Sequence, residues 1–351
     1  MMNPTHPYLP IFHRLRGDIE ESIHYGAAAV VNTSGELLAW YGNPRAVTFL
    51  RSSAKPFQAL PLVEKGGIKA FSISPKELAL ICASHSGTPQ HQKTLENLQK
   101  KIGLSQEDLM CGTHYPFHQE TRRSMICSQA RPTPNHHNCS GKHTGMLAQA
   151  KLLQTPLDNY PEKEHAVQQI ILRCMAEMAV IDQAEIGLGR DGCSVPTFAL
   201  PLYHAAWAWA RLVDPRELKN TRARACQHIV QAMTHHPDMV AGPERFDTRL
   251  MRAAGGKLVS KAGAEAYQAL GIPKGILTTQ DEGVGVAIKI SAGDQGKKAR
   301  GPVTLEILRQ LDILSPEEQK ELEDIGPRYP ITNQRDFKVG VGEPIFRLNF
   351  Q

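Results

Sequence analysis

Long apolar runs are missing from this chain of 351 residues. The most apolar stretch, Val195–Val213, is interrupted by Thr197, Tyr203, His204 and Arg211. It therefore reads as a buried helix, and no membrane association is expected. Met1–Asp18 lacks a charged region followed by an apolar one, so no signal peptide is expected. A disulfide framework is also missing: the cysteines are seven, an odd number, thinly spread. That usage points to a reducing, cytoplasmic setting. A basic footprint is absent too. The net charge is only +5, and the short clusters Arg122-Arg123 and Lys297-Lys298 have no interleaved aromatics. A solvated surface explains them better than nucleic-acid binding. There is no internal repeat and no low-complexity segment.

What is present is core-forming material, with 41% hydrophobic residues. At this length that builds one large domain or two intimately packed ones. Gly26–Trp40 has the pattern of a β-hairpin, two apolar runs flanking Asn32-Thr33-Ser34-Gly35. Helical patterns fill the middle of the chain. Ser74-Pro75-Lys76-Glu77 is a capping box that starts a helix over 75–83. Further helices are expected from Thr88-Pro89, over 141–153, 162–179, 198–212 and 215–234. Strand character returns at 257–261, 283–290 and 343–350, with helices expected over 297–314 and 316–324. The fold class is therefore α/β in the α+β sense: an antiparallel sheet built from both termini, with a helical region inserted. The chain is expected to be a single catalytic unit, its sheet region spanning 1–50 and 255–351 and its helical region 51–254.

Five segments could carry chemistry. In Arg51-Ser52-Ser53-Ala54-Lys55-Pro56-Phe57, one helical turn separates Ser52 from Lys55, so a neutral lysine could take the serine proton. A plain serine-capped helix start explains the same residues. Ala83-Ser84-His85-Ser86-Gly87 follows a capped helix and reads equally as a polar helix stop. Asn138-Cys139-Ser140-Gly141-Lys142-His143-Thr144-Gly145 opens a helix whose dipole favours a thiolate at Cys139 and disfavours an ammonium at Lys142. A neutral Lys142 would be a base or a metal ligand. The segment faintly matches a phosphate-binding loop, but the first glycine of that pattern is missing, so nucleotide binding is rejected. Gly189-Arg190-Asp191-Gly192-Cys193-Ser194-Val195-Pro196 is a tight loop presenting Asp191 and Cys193. No Cys-x-x-Cys spacing makes Cys139 and Cys193 a metal pair by sequence alone. Ser260-Lys261-Ala262-Gly263 reads as a strand end.

The ordered set of these segments, with Cys111-Gly112-Thr113-His114 and Met239-Val240-Ala241-Gly242, resembles the asparaginase II family of the Rhizobium etli type, over roughly 25–350. The resemblance implies a fold similar to serine β-lactamases and serine-dependent glutaminases. It implies an L-asparaginase that hydrolyses the side-chain amide to aspartate and ammonia, acting as a homodimer. It implies two serine–lysine pairs, Ser52 with Lys55 and Ser84 with Lys261. Two serines are thus candidates for the nucleophile, and Ser52, whose lysine lies one helical turn away, is the one expected to attack. It implies one zinc held by Cys139, Lys142, Cys193 and a water, placed to position substrate. Asp191 would hydrogen-bond the lysine amines, and Arg51, Asn138 and His143 would line the substrate pocket. Ala262 takes the threonine place of the Lys-Thr-Gly strand of the β-lactamase pattern. The nearest rival is a glutaminase or other amidohydrolase on the same fold. A rival of another class is a non-enzymatic zinc or redox sensor using Cys139 and Cys193, which leaves the serines and lysines without a role.

Overall fold

A computed structural model of the chain describes residues 6–294 and 298–351. The chain divides into two compact units. One comprises Met1–Ser53, Leu200–Asp214 and Ala253–Gln351; the other comprises Ala54–Ala199 and Pro215–Arg252. The division expected from sequence, at 50 and 255, did not assign Leu200–Asp214 to the first of these.

The first unit is organised by the strand Ile19–Asn32. Its early residues are mostly polar and largely exposed, whereas Gly26–Asn32 is buried without interruption. A strand covered on both faces needs no polar alternation, which is why Ala27-Ala28-Ala29-Val30-Val31 is uniformly apolar. Among the described residues the antiparallel sheet runs Tyr329–Thr332, Lys338–Pro344, Leu9–Arg16, Ile19–Asn32, Val284–Ile290, Tyr267–Ile272, Val259–Gly263. Leu37–Tyr41 pairs with Ile19–Asn32 and in turn receives Asn349–Phe350. The sheet is thus built from both termini, as expected. The hairpin over 26–40 is present, and the strands expected at 257–261 and 283–290 lie close by, at Val259–Gly263 and Val284–Ile290. The single strand expected over 343–350 is instead the end of Lys338–Pro344 and the short Asn349–Phe350. Leu9–Arg16, Tyr267–Ile272 and Tyr329–Thr332 were not foreseen.

The helix Leu202–Val213 covers this sheet at unusually close range. A Cβ on Gly285 would stand 1.8 Å from Ala206 O, and one on Gly271 would stand 2.4 Å from Val213 Cγ1. The helix end is tied down by Asp214, whose Oδ2 accepts Gly283 N–H at 2.9 Å. Trp207 Nε1 donates to Thr33 O at 2.8 Å. The single buried helix expected over 195–213 is corrected here: Pro196–Pro201 is a strand, and only Leu202–Val213 is helical. Proline at 201 biases Leu200 toward extended backbone, so the helix starts after it.

The second unit is helical around two buried helices. Lys55–Glu64 is buried at every position from Lys55 to Val63, and Ser140–Leu153 from Ser140 to Ala150. Gly141 and Gly145 let the latter lie against the segment ending the helix Pro75–Ile81: added Cβ atoms would meet Leu80 O at 2.2 Å and Ile81 Cγ2 at 2.6 Å. The Ser74–Glu77 capping box is present. Several helices start later than their patterns indicated, at Ala166, Asn220 and Arg300. Lys297, the expected start of the last, lies outside the described residues. No described helix is long and apolar enough to cross a membrane.

Gly285→Ala should destabilise the first unit by about 1–3 kcal/mol, because the backbone oxygen of Ala206 cannot yield as a side chain would. Urea unfolding measures this as a lowered midpoint at constant slope. An unchanged midpoint would show that the helix can rise off the sheet at no cost.

Candidate active site

The chemistry-bearing residues of the second unit meet where its two buried helices begin. Lys55 opens one, and Cys139 is the N-cap residue of the other. Burying a lysine amine is unfavourable unless it finds partners. Lys55 Nζ finds three oxygens: it lies 2.6 Å from Ala83 O, 2.9 Å from Ser84 Oγ and 3.5 Å from Asn138 O. Backbone bonds hold the serine in place. Ser84 N–H donates to Val240 O at 2.9 Å, and His85 N–H donates to Asn138 O at 3.2 Å. The sequence paired Lys55 with Ser52; the structure brings it to Ser84.

Behind this pair lie the residues expected to hold a metal. The loop carrying Cys193 is a tight turn joining two short paired strands, Gly187–Arg190 and Pro196–Pro201. Asp191 N–H donates to Val195 O, Ser194 N–H donates to Asp191 O, and Ser194 takes a left-handed φ of 76°. This turn delivers Cys193 Sγ to 2.8 Å from Lys142 Nζ. The Cys193 thiol in turn donates to Cys139 Sγ. That hydrogen bond, reinforced by the charges of Lys55 and Lys142, outweighs burial and holds the Cys139 thiol well below its ordinary value. For Cys193 the same hydrogen bond, with burial, pushes the thiol up. The two thiols are thus shifted in opposite directions.

Lys142 departs from the expectation of a neutral amine. Burial pushes its pKa down, but Cys193, Cys139 and Asp191 together outweigh burial, and the net direction is up. The helix N-terminus was the only influence the sequence displayed; the sulfurs and carboxylate that override it arrive from tertiary structure. No set of three or more His, Cys, Asp or Glu side chains among the described residues is arranged to hold a metal. The expected set contains two such residues and a lysine. Two sulfurs and an amine nitrogen gathered in a buried place are nonetheless a donor set that zinc accepts once they are deprotonated. The nearby Cys111 is pushed up to about 12, chiefly by burial and then by Cys139, so it stays a thiol.

Asn138 sits beside these groups, its N–H donating to His114 Nε2 at 3.0 Å. His143 is fully buried one turn into the helix. In the first unit, Arg51 and Ser52 lie in the 3-10 turn Arg51–Ala54, with Arg51 at a left-handed φ of 51°. Lys261 is fully buried on the strand Val259–Gly263, and its Nζ donates to Ala262 O at 2.9 Å.

Three residues of the second unit escaped the sequence reading. His137 Nδ1 accepts Cys139 N–H at 3.0 Å. His85 Nε2 lies 2.7 Å from Ser140 Oγ. Tyr160 OH lies 2.6 Å from His143 Nδ1. Two histidines fell inside recognised motifs, but nothing in the local sequence marks Tyr160, which reaches the site from an irregular segment.

No curated protein sequence matches the chain. Among solved structures it is similar to a Bacillus subtilis glutaminase in covalent complex with 5-oxo-L-norleucine, at 14% identity and a TM-score of 0.40, covering 83% of this chain and 89% of that one. A probable Bacillus subtilis glutaminase complexed with 6-diazo-5-oxo-L-norleucine is 12% identical with a TM-score of 0.39, covering 82% and 85%. Mglu in its native form in 4.3 M NaCl is 13% identical with a TM-score of 0.43; 81% of this chain is covered but only 60% of Mglu. The family model of L-asparaginase II matches residues 12–344. The chain belongs to the L-asparaginase II family, an amidohydrolase family.

Proposed function

We propose that this protein is an L-asparaginase that works through a serine ester, with Lys55 as the base shared by two serines. The observation that carries the proposal is the buried contact of 2.9 Å between Lys55 Nζ and Ser84 Oγ, in a chain that belongs to this family. The three oxygens around Nζ match the three N–H bonds of an ammonium. They suit a neutral amine as well: Ala83 O and Asn138 O then take two N–H bonds, and the lone pair faces the Ser84 hydroxyl. A lysine so placed can receive a serine proton and return it.

In this mechanism Ser52, three residues before Lys55 in the chain, attacks the side-chain carbonyl of asparagine while its proton passes to Lys55. The C–N bond breaks as Ser84, connected to Lys55, passes a proton to the departing ammonia, and Lys261 supports that transfer. Water then cleaves the aspartyl ester by the reverse proton path, releasing aspartate. Arg51 and Asn138 bind substrate; His143, fully buried, acts from behind the pocket. Asp191 acts on the lysines through its charge, which is one of the influences that raise the Lys142 pKa.

Zinc is assigned to Cys139, Lys142 and Cys193. The assignment is supported by the 2.8 Å approach of Lys142 Nζ to Cys193 Sγ and by the hydrogen bond that holds the Cys139 thiol low. When bound, the cation supplies a fixed positive charge that orients substrate. The chain's own residues carry the proton transfers.

Three outcomes are expected. Ammonia release should be far more efficient from L-asparagine than from L-glutamine; equal kcat/KM for the two would overturn the substrate and leave the reaction class. Ser52→Ala and Ser84→Ala should each reduce turnover by at least about a thousandfold, because members of one catalytic unit act non-additively. Of the two, only Ser84→Ala should still form a covalent adduct with an activated aspartyl ester, detected by intact mass. An adduct on Ser84 of the wild type would exchange their roles. Cys139→Ser and Cys193→Ser should each lose the bound metal, measured by elemental analysis after gel filtration; full metal content in both places the metal elsewhere.

A further inference from the structure

Hydrogen-bond accounting in the buried helix Ser140–Leu153 leaves one donor over. His143 is fully exposed to no solvent, with a relative accessibility of 0%. Its Nδ1 lies 2.6 Å from the Tyr160 hydroxyl, and its Nε2 is buried without a hydrogen-bond partner. Tyr160 is itself fully buried, and its hydroxyl oxygen accepts Met110 N–H at 2.8 Å.

These contacts decide where the imidazole proton sits. With the proton on Nδ1, the ring would donate to the tyrosine oxygen. The tyrosine proton and the Nε2 lone pair would then both be unmatched. With the proton on Nε2, Tyr160 accepts from Met110 and donates to Nδ1, and only Nε2–H is unmatched. Buried polar groups left without partners are unfavourable, so the second arrangement prevails.

A buried donor held in reserve in this way calls for an acceptor that arrives later. His143 follows Cys139 by four residues, one turn along the same helix face. Its backbone N–H donates to Cys139 O at 3.0 Å. A metal-bound cysteine is a thiolate, an acceptor that stays deprotonated, and donors to such sulfurs set the strength of metal centres.

We propose that His143 Nε2–H donates to the Cys139 thiolate of the zinc-loaded centre, and that Tyr160, by donating to Nδ1, fixes the ring in the tautomer that can do so. Both are positioning residues, and the proposal rests on the zinc assignment to Cys139, Lys142 and Cys193 above. Gln at 143 can place an amide N–H near the Nε2 position, whereas Asn can only mimic the Nδ1 side.

The test uses the full chain, zinc ions in competition with a chromophoric chelator, and 15N spectra of the histidine rings. In the metal-free wild type the His143 ring should carry its proton on Nε2. Tyr160→Phe should lose that fixed tautomer and bind zinc about tenfold more weakly or worse. His143→Asn should weaken zinc to a similar degree, and His143→Gln should restore most of the affinity. A proton found on Nδ1 in the wild type overturns the proposal whatever the metal does, and needs no variant to fold. A wild type that takes up no zinc sinks the metal assignment and the proposal together. A wild type that binds zinc, with Tyr160→Phe and His143→Asn binding equally tightly, overturns the proposal alone. So does His143→Gln binding as weakly as His143→Asn, or the variants raising KM for asparagine at unchanged zinc affinity.

Discussion

The buried amine of Lys55 is the constraint on which the rest of the helical unit depends. It opens a helix that is buried along nearly its whole length, where an amine without acceptors would be strongly unfavourable. Its three oxygens come from two separate segments, Ala83-Ser84 and Asn138. Each segment must therefore be held independently. The first is tied by Ser84 N–H to Val240 O, and the second by Asn138 N–H to His114 and by its carbonyl to His85 N–H. Satisfying one lysine thus organises the end of one helix and the start of another. It also delivers a serine to hydrogen-bond distance of the amine.

The same logic governs the group behind it. Lys142, Cys139 and Cys193 are buried, and each would be disfavoured there alone. Together they balance charge: the sulfurs and carboxylate raise the Lys142 pKa against burial, and the two lysines lower that of Cys139. Removing one member leaves an uncompensated partner, which is typically more damaging than never burying the pair. A site of this kind is stable only when complete.

Close backbone packing supplies the rigidity. Gly141 and Gly145 bring the helix Ser140–Leu153 against Leu80 and Ile81, just ahead of Ser84 in the chain. The spacing between the segments carrying Ser84 and Cys139 is thereby set by close packing at the backbone. In the sheet unit, Gly271 and Gly285 do the same for the helix Leu202–Val213.

Local pattern determined much of this protein. The apolar run Ala27–Val31, the capping boxes at Ser74 and Ser315, and the proline-led helix at Pro89 carry their structure in neighbouring residues, because turn chemistry and periodicity act over a few positions. The antiparallel sheet from both termini followed from where those patterns lie. Short segments likewise displayed Ser84, Cys139, Lys142, Asp191 and Cys193 as candidates. Tertiary structure decided what these residues do to one another. Lys55 meets Ser84 because a loop pinned to Val240 and Asn138 returns to the head of its helix. Lys142 is drawn toward its charged form because Cys193 and Asp191 arrive from about fifty residues downstream. Val195–Val213 splits into strand and helix because Gly187–Arg190 is there to pair with Pro196–Pro201. Tyr160 carries no local signal at all. Electrostatics and hydrogen bonding depend on distance in space, and spacing along the chain does not encode that distance.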